Sequence, residues 1–163
     1  MSVHFEERSG VVSCPTPWGQ WYQTMEEVFV EVDVPAGTVA REIECQLESR
    51  RVLLRVKGRE ILKGKLYDYT IADEGTWTLE DRKLVRIVLT KSNRDAGNCW
   101  TSLLEEDYAA DLWVQDQMQR KLTLERLQRE VTVSHTKNQT RGEGEGKVYM
   151  GRLKIATTES TVQ

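Results

Sequence analysis

With only His4 and His135 in 163 residues, the chain has little from which to build a histidine-based metal or acid–base centre. Its cysteines are Cys14, Cys45 and Cys99, odd in number and far apart. No Cys-x-x-Cys pair suggests zinc or redox chemistry, so they read as reduced thiols. No stretch approaches the ~20 apolar residues of a membrane span. The N-terminus, Met1 to Arg8, lacks the basic start and apolar run of a secretory signal. Excess positive charge is missing too. A net charge of −3 and a pI near 5.6 exclude the concentrated Lys/Arg face that phosphate neutralisation requires. These absences argue against nucleic-acid binding, membrane insertion, cofactor binding and catalysis, and for a cytoplasmic or nuclear protein.

What is present suits one globular domain with residues left over for an appended helix. Apolar residues make up 39% and charged residues 30%, enough for a core under a heavily charged surface. From Trp18 onward apolar and polar residues alternate, the mark of half-buried strands. Val28, Val30, Val32 and Val34 share one face, and Pro35-Ala36-Gly37 ends that run. Phe29 falls on the polar side, where it would cover a sheet edge. Ile43, Cys45 and Leu47 alternate with Glu42, Glu44, Gln46 and Glu48. Val52, Leu54 and Val56 alternate with Arg51, Arg55 and Lys57. An acidic strand thus lies beside a basic one, and cross-strand pairs worth roughly 0.2–1 kcal/mol each would help fix register. Thr76 to Leu79 and Leu84 to Leu89 complete the pattern around the turn-forming Glu80-Asp81-Arg82-Lys83. Short strands at this spacing predict a mainly β protein, an antiparallel sandwich of about seven strands.

The period changes after the polar linker Lys91 to Asp95. Ser102-Leu103-Leu104-Glu105 has the form of a capping box and predicts a short helix to Ala110. Asp111 then caps a longer helix from Leu112 to Glu130, with Val114, Met118, Leu122 and Leu127 on its apolar face and Asp116 spaced to pair with Arg120. This helix either packs on the sandwich, the commoner use, or makes a homodimer through 112–130. Ser134 to Gly146 is polar and Gly-rich and is expected to be disordered. The expected organisation is an arm over 1–13, a sandwich domain over 14–104, a helical extension over 105–130 and a disordered tail over 131–163.

Trp18-Gly19-Gln20-Trp21-Tyr22-Gln23, Val34-Pro35, Gly64-Lys65-Leu66, Glu74 to Asp81 and Val88-Leu89-Thr90-Lys91 together resemble a CS domain. Cys99 to Leu103 and Trp113 to Met118 narrow the resemblance to the NudC group, over about Phe5 to Glu130. It implies a seven-stranded sandwich like alpha-crystallin and the small acidic co-chaperones. It further implies a co-chaperone that hydrolyses no ATP, partners heat-shock protein 90 and stabilises WD-repeat propellers such as the lissencephaly-1 protein of the dynein pathway. Centrosome, spindle and kinetochore association follow from the same resemblance. The chain departs from the family after Glu130, where Val131-Thr132-Val133-Ser134-His135 replaces an Asn-Pro-Gly-Phe-Asp-Phe-like tail.

Candidate protein-binding residues are Trp77 and Trp100, large enough to pack a ring inside and present an N–H outside. Lys63, Lys65 and Arg82, with Lys83, would offer positive charge to an acidic surface. Core packing and ordinary solvated charge are the commoner uses of both sets. Glu80 and Asp81 are adjacent on a strand end and point apart, which suits binding and not acid–base chemistry. Gly142 to Gly146 lacks the flanking strand, helix and Lys of a phosphate loop. Leu153-Lys154-Ile155 resembles the Ile-x-Ile tail that links small heat-shock proteins, and weakly motivates an alternative, an ATP-independent holdase that captures unfolding proteins.

Overall fold

The computed structural model describes the backbone of residues 5–6 and 11–143 and the side chains of residues 11–131. It divides into two units, Met1–Glu125 and Arg126–Gln163. In the first, β1 (Phe5–Glu6) and β2 (Val11–Val12) form a small ribbon. β3 (Cys14–Thr16), β4 (Gly19–Gln23) and β5 (Glu27–Asp33) begin one sheet, and β6 (Ile43–Glu48), β7 (Arg51–Val56) and β8 (Arg59–Lys65) make a second. The chain then returns to the first sheet with β9 (Thr76–Glu80) and β10 (Leu84–Thr90). The orders are β3-β4-β5-β10-β9 and β6-β7-β8, antiparallel throughout.

Alternation decides which residues meet between the sheets. Trp21, Val28, Val30, Val32, Val85, Ile87 and Leu89 from the larger sheet share one buried cluster with Val52, Leu54, Val56 and Leu62 from the smaller. Each such side chain contributes about 1.5–3 kcal/mol by leaving water. The expected charge pairing across the smaller sheet is present: Glu44 faces Arg55 at 3.1 Å, and Glu48 lies opposite Arg51 in register. Gly19 permits the close approach of β4 to β5, since a Cβ there would lie 2.0 Å from the Glu31 carbonyl oxygen.

Several local expectations are corrected. The two main sheets hold eight strands, one more than expected. β8 escapes the alternation rule because a register shift between Leu54 and Arg55 places Ile61 and Leu62 side by side along the strand. Phe29 covers no edge; β5 is central, and the ring stacks on Tyr22 at 4.9 Å on the sheet's outer face. No helix forms at Ser102. Its hydroxyl donates to the Leu104 carbonyl at 2.6 Å, while Leu103 N and Ala110 N donate to Tyr108 and Thr101 carbonyls, so the segment folds back on itself as an extended loop. Glu105 is held by Arg50 and Lys65 and supplies no cap.

Asp111 does cap the long helix α1 (Leu112–Glu143), its carboxylate accepting from Val114 N at 2.8 Å. Val114, Met118 and Leu122 are buried as expected and Asp116 pairs with Arg120 at 2.7 Å, but Leu127, in the second unit, is exposed. The helical backbone continues past Glu130 to Glu143. Gly144 to Gly146, Val148 to Ile155 and with them Leu153-Lys154-Ile155 lie outside the described residues.

One polar cluster ties these parts together. Lys91, just after β10, is wholly enclosed. Its ammonium donates to Gln23 Oε1 at 2.8 Å and to the Asn98 carbonyl at 3.2 Å. Gln23 Oε1 also accepts from Trp100 N, and Gln23 Nε2 donates to the Trp100 carbonyl and Met118 Sδ. Burial beside neutral acceptors pushes the Lys91 ammonium down to about 8, with Cys99, Glu125 and Asp68 opposing the shift.

The two main hairpin turns differ in chemistry. Lys57-Gly58, with φ of 54° and 77°, joins β7 to β8 and places glycine where a left-handed backbone is needed. Asp81-Arg82, with φ of 52° and 55°, joins β9 to β10 without any glycine. Asp tolerates that region; Arg is strained there. The strain is held in place because the Arg82 carbonyl accepts from Gly37 N and Thr38 N, and the Lys83 carbonyl from Val34 N.

Two outcomes are expected. Between pH 8 and 10.5 the unfolded chain holds the Lys91 proton more tightly than the folded protein, so the cost of burying this charge fades as pH rises. The stability of the native protein relative to Lys91→Met should therefore climb across that window in urea melts, and a flat difference would contradict the assignment. Arg82→Gly should relieve the turn and add about 0.5–1 kcal/mol to unfolding free energy, read as a raised urea midpoint; an unchanged midpoint would show that the turn stores no strain.

Candidate functional site

β9 is the last strand of the larger sheet, hydrogen-bonded to β10 on one side only. Its residues alternate by the strand rule: Thr76 and Thr78 face solvent, and Trp77 and Leu79 turn inward opposite Ile87 and Val85. Because this is an edge, the inward pair is only half covered. An open hollow of about 540 Å³ remains there, lined by Trp77, Thr78 and Leu79 of β9, Asp81 and Arg82 of the strained turn, and Val39 and Ala40.

The far wall is built by the turn that leads into β6. Ala40–Glu42 forms a single 3-10 turn, held because the Glu42 carboxylate accepts from Val39 N at 3.1 Å and Glu42 N donates back to the Val39 carbonyl. The site therefore sits where the edges of the two sheets meet. Leu47 of β6 lies against Gly75, immediately before β9, and marks the same seam.

The structure brings together Trp77, Asp81 and Arg82 of the sequence-selected residues, with Glu80 beside them. Glu80 is already engaged, its carboxylate 3.2 Å from Arg86 Nε. Asp81 and Arg82 are exposed. Lys63 and Lys65 belong elsewhere, on β8 at the opposite edge of the smaller sheet, with Lys65 3.9 Å from Glu105. Trp100 is removed from any surface role: it is fully buried, packed against Tyr67 and bound through its backbone to Gln23. Sequence reasoning missed Val39, Ala40 and Leu79. Val39 and Ala40 stand in no alternating run, and only folding brings them against β9.

The outer face of the larger sheet is a second feature. Tyr22, Phe29 and Val88 lie in one row across β4, β5 and β10. In the adjacent row Gln20 and Arg86 meet the Glu31 carboxylate at 2.8 and 3.1 Å, and Tyr22 reaches it from the first row at 2.9 Å. Burial and donation to Glu31 push the Tyr22 phenol up to about 12. Chemically this is a settled network with its charges paired. The thiols are quiescent too: burial pushes Cys14 up to about 11 and Cys45 to about 12, so neither is a thiolate near neutrality. Among the described residues no cluster of His, Cys, Asp and Glu could hold a metal ion, and no helix is long and apolar enough to cross a membrane.

The CS domain family matches residues 17–91. NudC domain-containing protein 2 of Homo sapiens is 78% identical over 130 residues, 80% of this chain and 83% of that protein. Protein BOBBER 1 of Arabidopsis thaliana is 39% identical over 75 residues, 45% of this chain and 25% of that protein. Among solved structures, the crystal structure of NudC domain-containing protein 2 from Mus musculus is 78% identical and covers 77% of this chain and 95% of its own, with a TM-score of 0.46. With four-fifths of its length matched at that identity, the chain belongs to the NudC family of CS-domain proteins, a co-chaperone-type family.

Proposed function

We propose that the protein is a non-catalytic co-chaperone adaptor that binds heat-shock protein 90 and stabilises WD-repeat client proteins such as the lissencephaly-1 protein of the dynein pathway, acting in the cytoplasm. The observation that carries this reading is the 78% identity to NudC domain-containing protein 2 over most of the chain. The physical character of the domain supports it. Its groups with raised pKa are protonated near neutrality, its Glu31 carboxylate is saturated by donors, and its open features are an edge hollow and an exposed hairpin tip. Such features bind polypeptides and turn nothing over. The sandwich would hold chaperone and client at once, its rigid sheets keeping two recognition surfaces at a fixed separation.

Affinity capture from cytosolic lysate, with the full chain and with residues 1–130, followed by binding of the purified partners, tests this. The expected result is saturable binding of heat-shock protein 90 and a WD-repeat propeller by both forms. Binding of neither purified partner, with capture of assorted misfolded chains only, would overturn the adaptor reading in favour of an ATP-independent holdase.

A further inference from the structure

The hollow beside β9 combines an open strand edge, apolar walls and unengaged charge. Among the described residues no strand neighbours the outer backbone edge of β9, which presents a row of N–H and C=O groups to a further strand. Its short length and its outward Thr76, Thr78 and Glu80 keep it from being an indiscriminate adhesive edge. A hollow of mixed lining opens directly alongside, with Trp77, Leu79 and Val39 as its apolar walls and Thr78, Asp81 and Arg82 as its polar ones.

Charge selects what enters. Arg82 and Asp81 line the hollow, and among the described residues neither side chain takes part in an ion pair or hydrogen bond. Lys83 follows in the same turn and Arg41 follows the lining residue Ala40, both exposed. Around the rim Arg41, Arg82 and Lys83 stand against Asp81, Glu42 and Glu80, but Glu42 is engaged by Val39 N and Glu80 by Arg86, so the charges left to a partner are three positive and one negative. Arg82 holds this position in a left-handed backbone that glycine would adopt with less strain. The strained backbone presents a guanidinium that glycine would lack.

We propose that β9 and its hollow take up an extended acidic segment of a partner protein as an added strand, with an apolar side chain in the hollow against Trp77 and a carboxylate on Arg82. Main-chain bonds to β9 supply affinity without sequence preference, while the hollow and Arg82 supply selection. This deepens the adaptor reading and rests on it only for the premise that the protein binds polypeptides. Nucleic acid is disfavoured by the overall charge, and in a second copy the acidic residues at the two ends of β9, Glu74 and Glu80, are already paired with Arg94 and Arg86.

The test uses the full chain, isotopically labelled, titrated with a short blocked peptide alternating Val and Asp and with its Val–Lys counterpart. Expected are amide shifts along Thr76–Glu80 and at the Trp77 indole with the Asp peptide, and binding weakened about tenfold by Arg82→Glu. Lys63→Glu, on the other sheet, should leave binding unchanged, and Arg82→Gly should bind weakly while unfolding no more easily than the native protein. Shifts confined to other strands, equal affinity for both peptides, or indifference to Arg82→Glu would each overturn the proposal. Peptide binding by a protein that fails to bind the chaperone or the propeller would sink the adaptor reading and leave this one standing. Chaperone binding without any β9 shift would do the reverse.

Discussion

The buried carboxamide of Gln23 has four partners. Through one side chain, β4 is joined to the residue just after β10, to the loop that follows the sandwich and to helix α1. Buried polar groups left without partners cost about 1–3 kcal/mol each, so loss of this side chain would strand several at once. An ammonium is harder still to bury; that of Lys91 donates to Gln23 and the Asn98 carbonyl, while Cys99, Glu125 and Asp68 oppose the loss of its charge. A core of Val and Leu alone would accept many arrangements of the loop and helix. These directional bonds accept far fewer.

From that cluster the rest of the domain is reached by register. Gln23 lies opposite Val28 on β5, β5 pairs along its length with β10, and β10 with β9. At the far end, Val34, Gly37 and Thr38 donate to the carbonyls of Lys83 and Arg82. The β9–β10 tip is therefore fixed from two directions, through the sheet and through the loop after β5. A one-residue slip anywhere along this path would turn Trp77 outward and Thr78 inward, erasing the hollow. The edge site is thus as rigid as the sheet that carries it, although it belongs to a hairpin.

Much of this was legible in the sequence wherever one face of a strand is wet. β5, β6 and β7 alternate cleanly, their burial follows the alternation, and the pairing of Glu44 with Arg55 was visible as opposed charge on adjacent runs. Legibility failed where a second constraint overrode the period. The bulge beside Leu54 broke the pattern of β8, and Ser102 found a carbonyl to donate to, so it capped nothing. The candidate site was half legible. Trp77, Asp81 and Arg82 stood out by type, but their meeting with Val39 and Ala40 is a tertiary event with no local signal. Trp100 misleads in the opposite way, since a large aromatic after the last strand looks like a surface anchor until the loop closes over it.

Why recognition should favour the edge over the broad outer face of the larger sheet follows from what each charge already does. On the outer face Glu31 accepts from Gln20, Tyr22 and Arg86, and Arg86 spans Glu31 and Glu80. A partner docking there would have to displace bonds that are already good, gaining little on exchange. At the edge, Arg82 and Asp81 lose only side-chain freedom and hydration when a partner arrives, about 0.5–1.5 kcal/mol for each long side chain immobilised. The backbone of β9 gives up only bonds to water, and Trp77 buries the remainder of its ring. The face with its charges paired is suited to holding the sheet together, and the edge with Arg82 and Asp81 unspent is suited to holding something else.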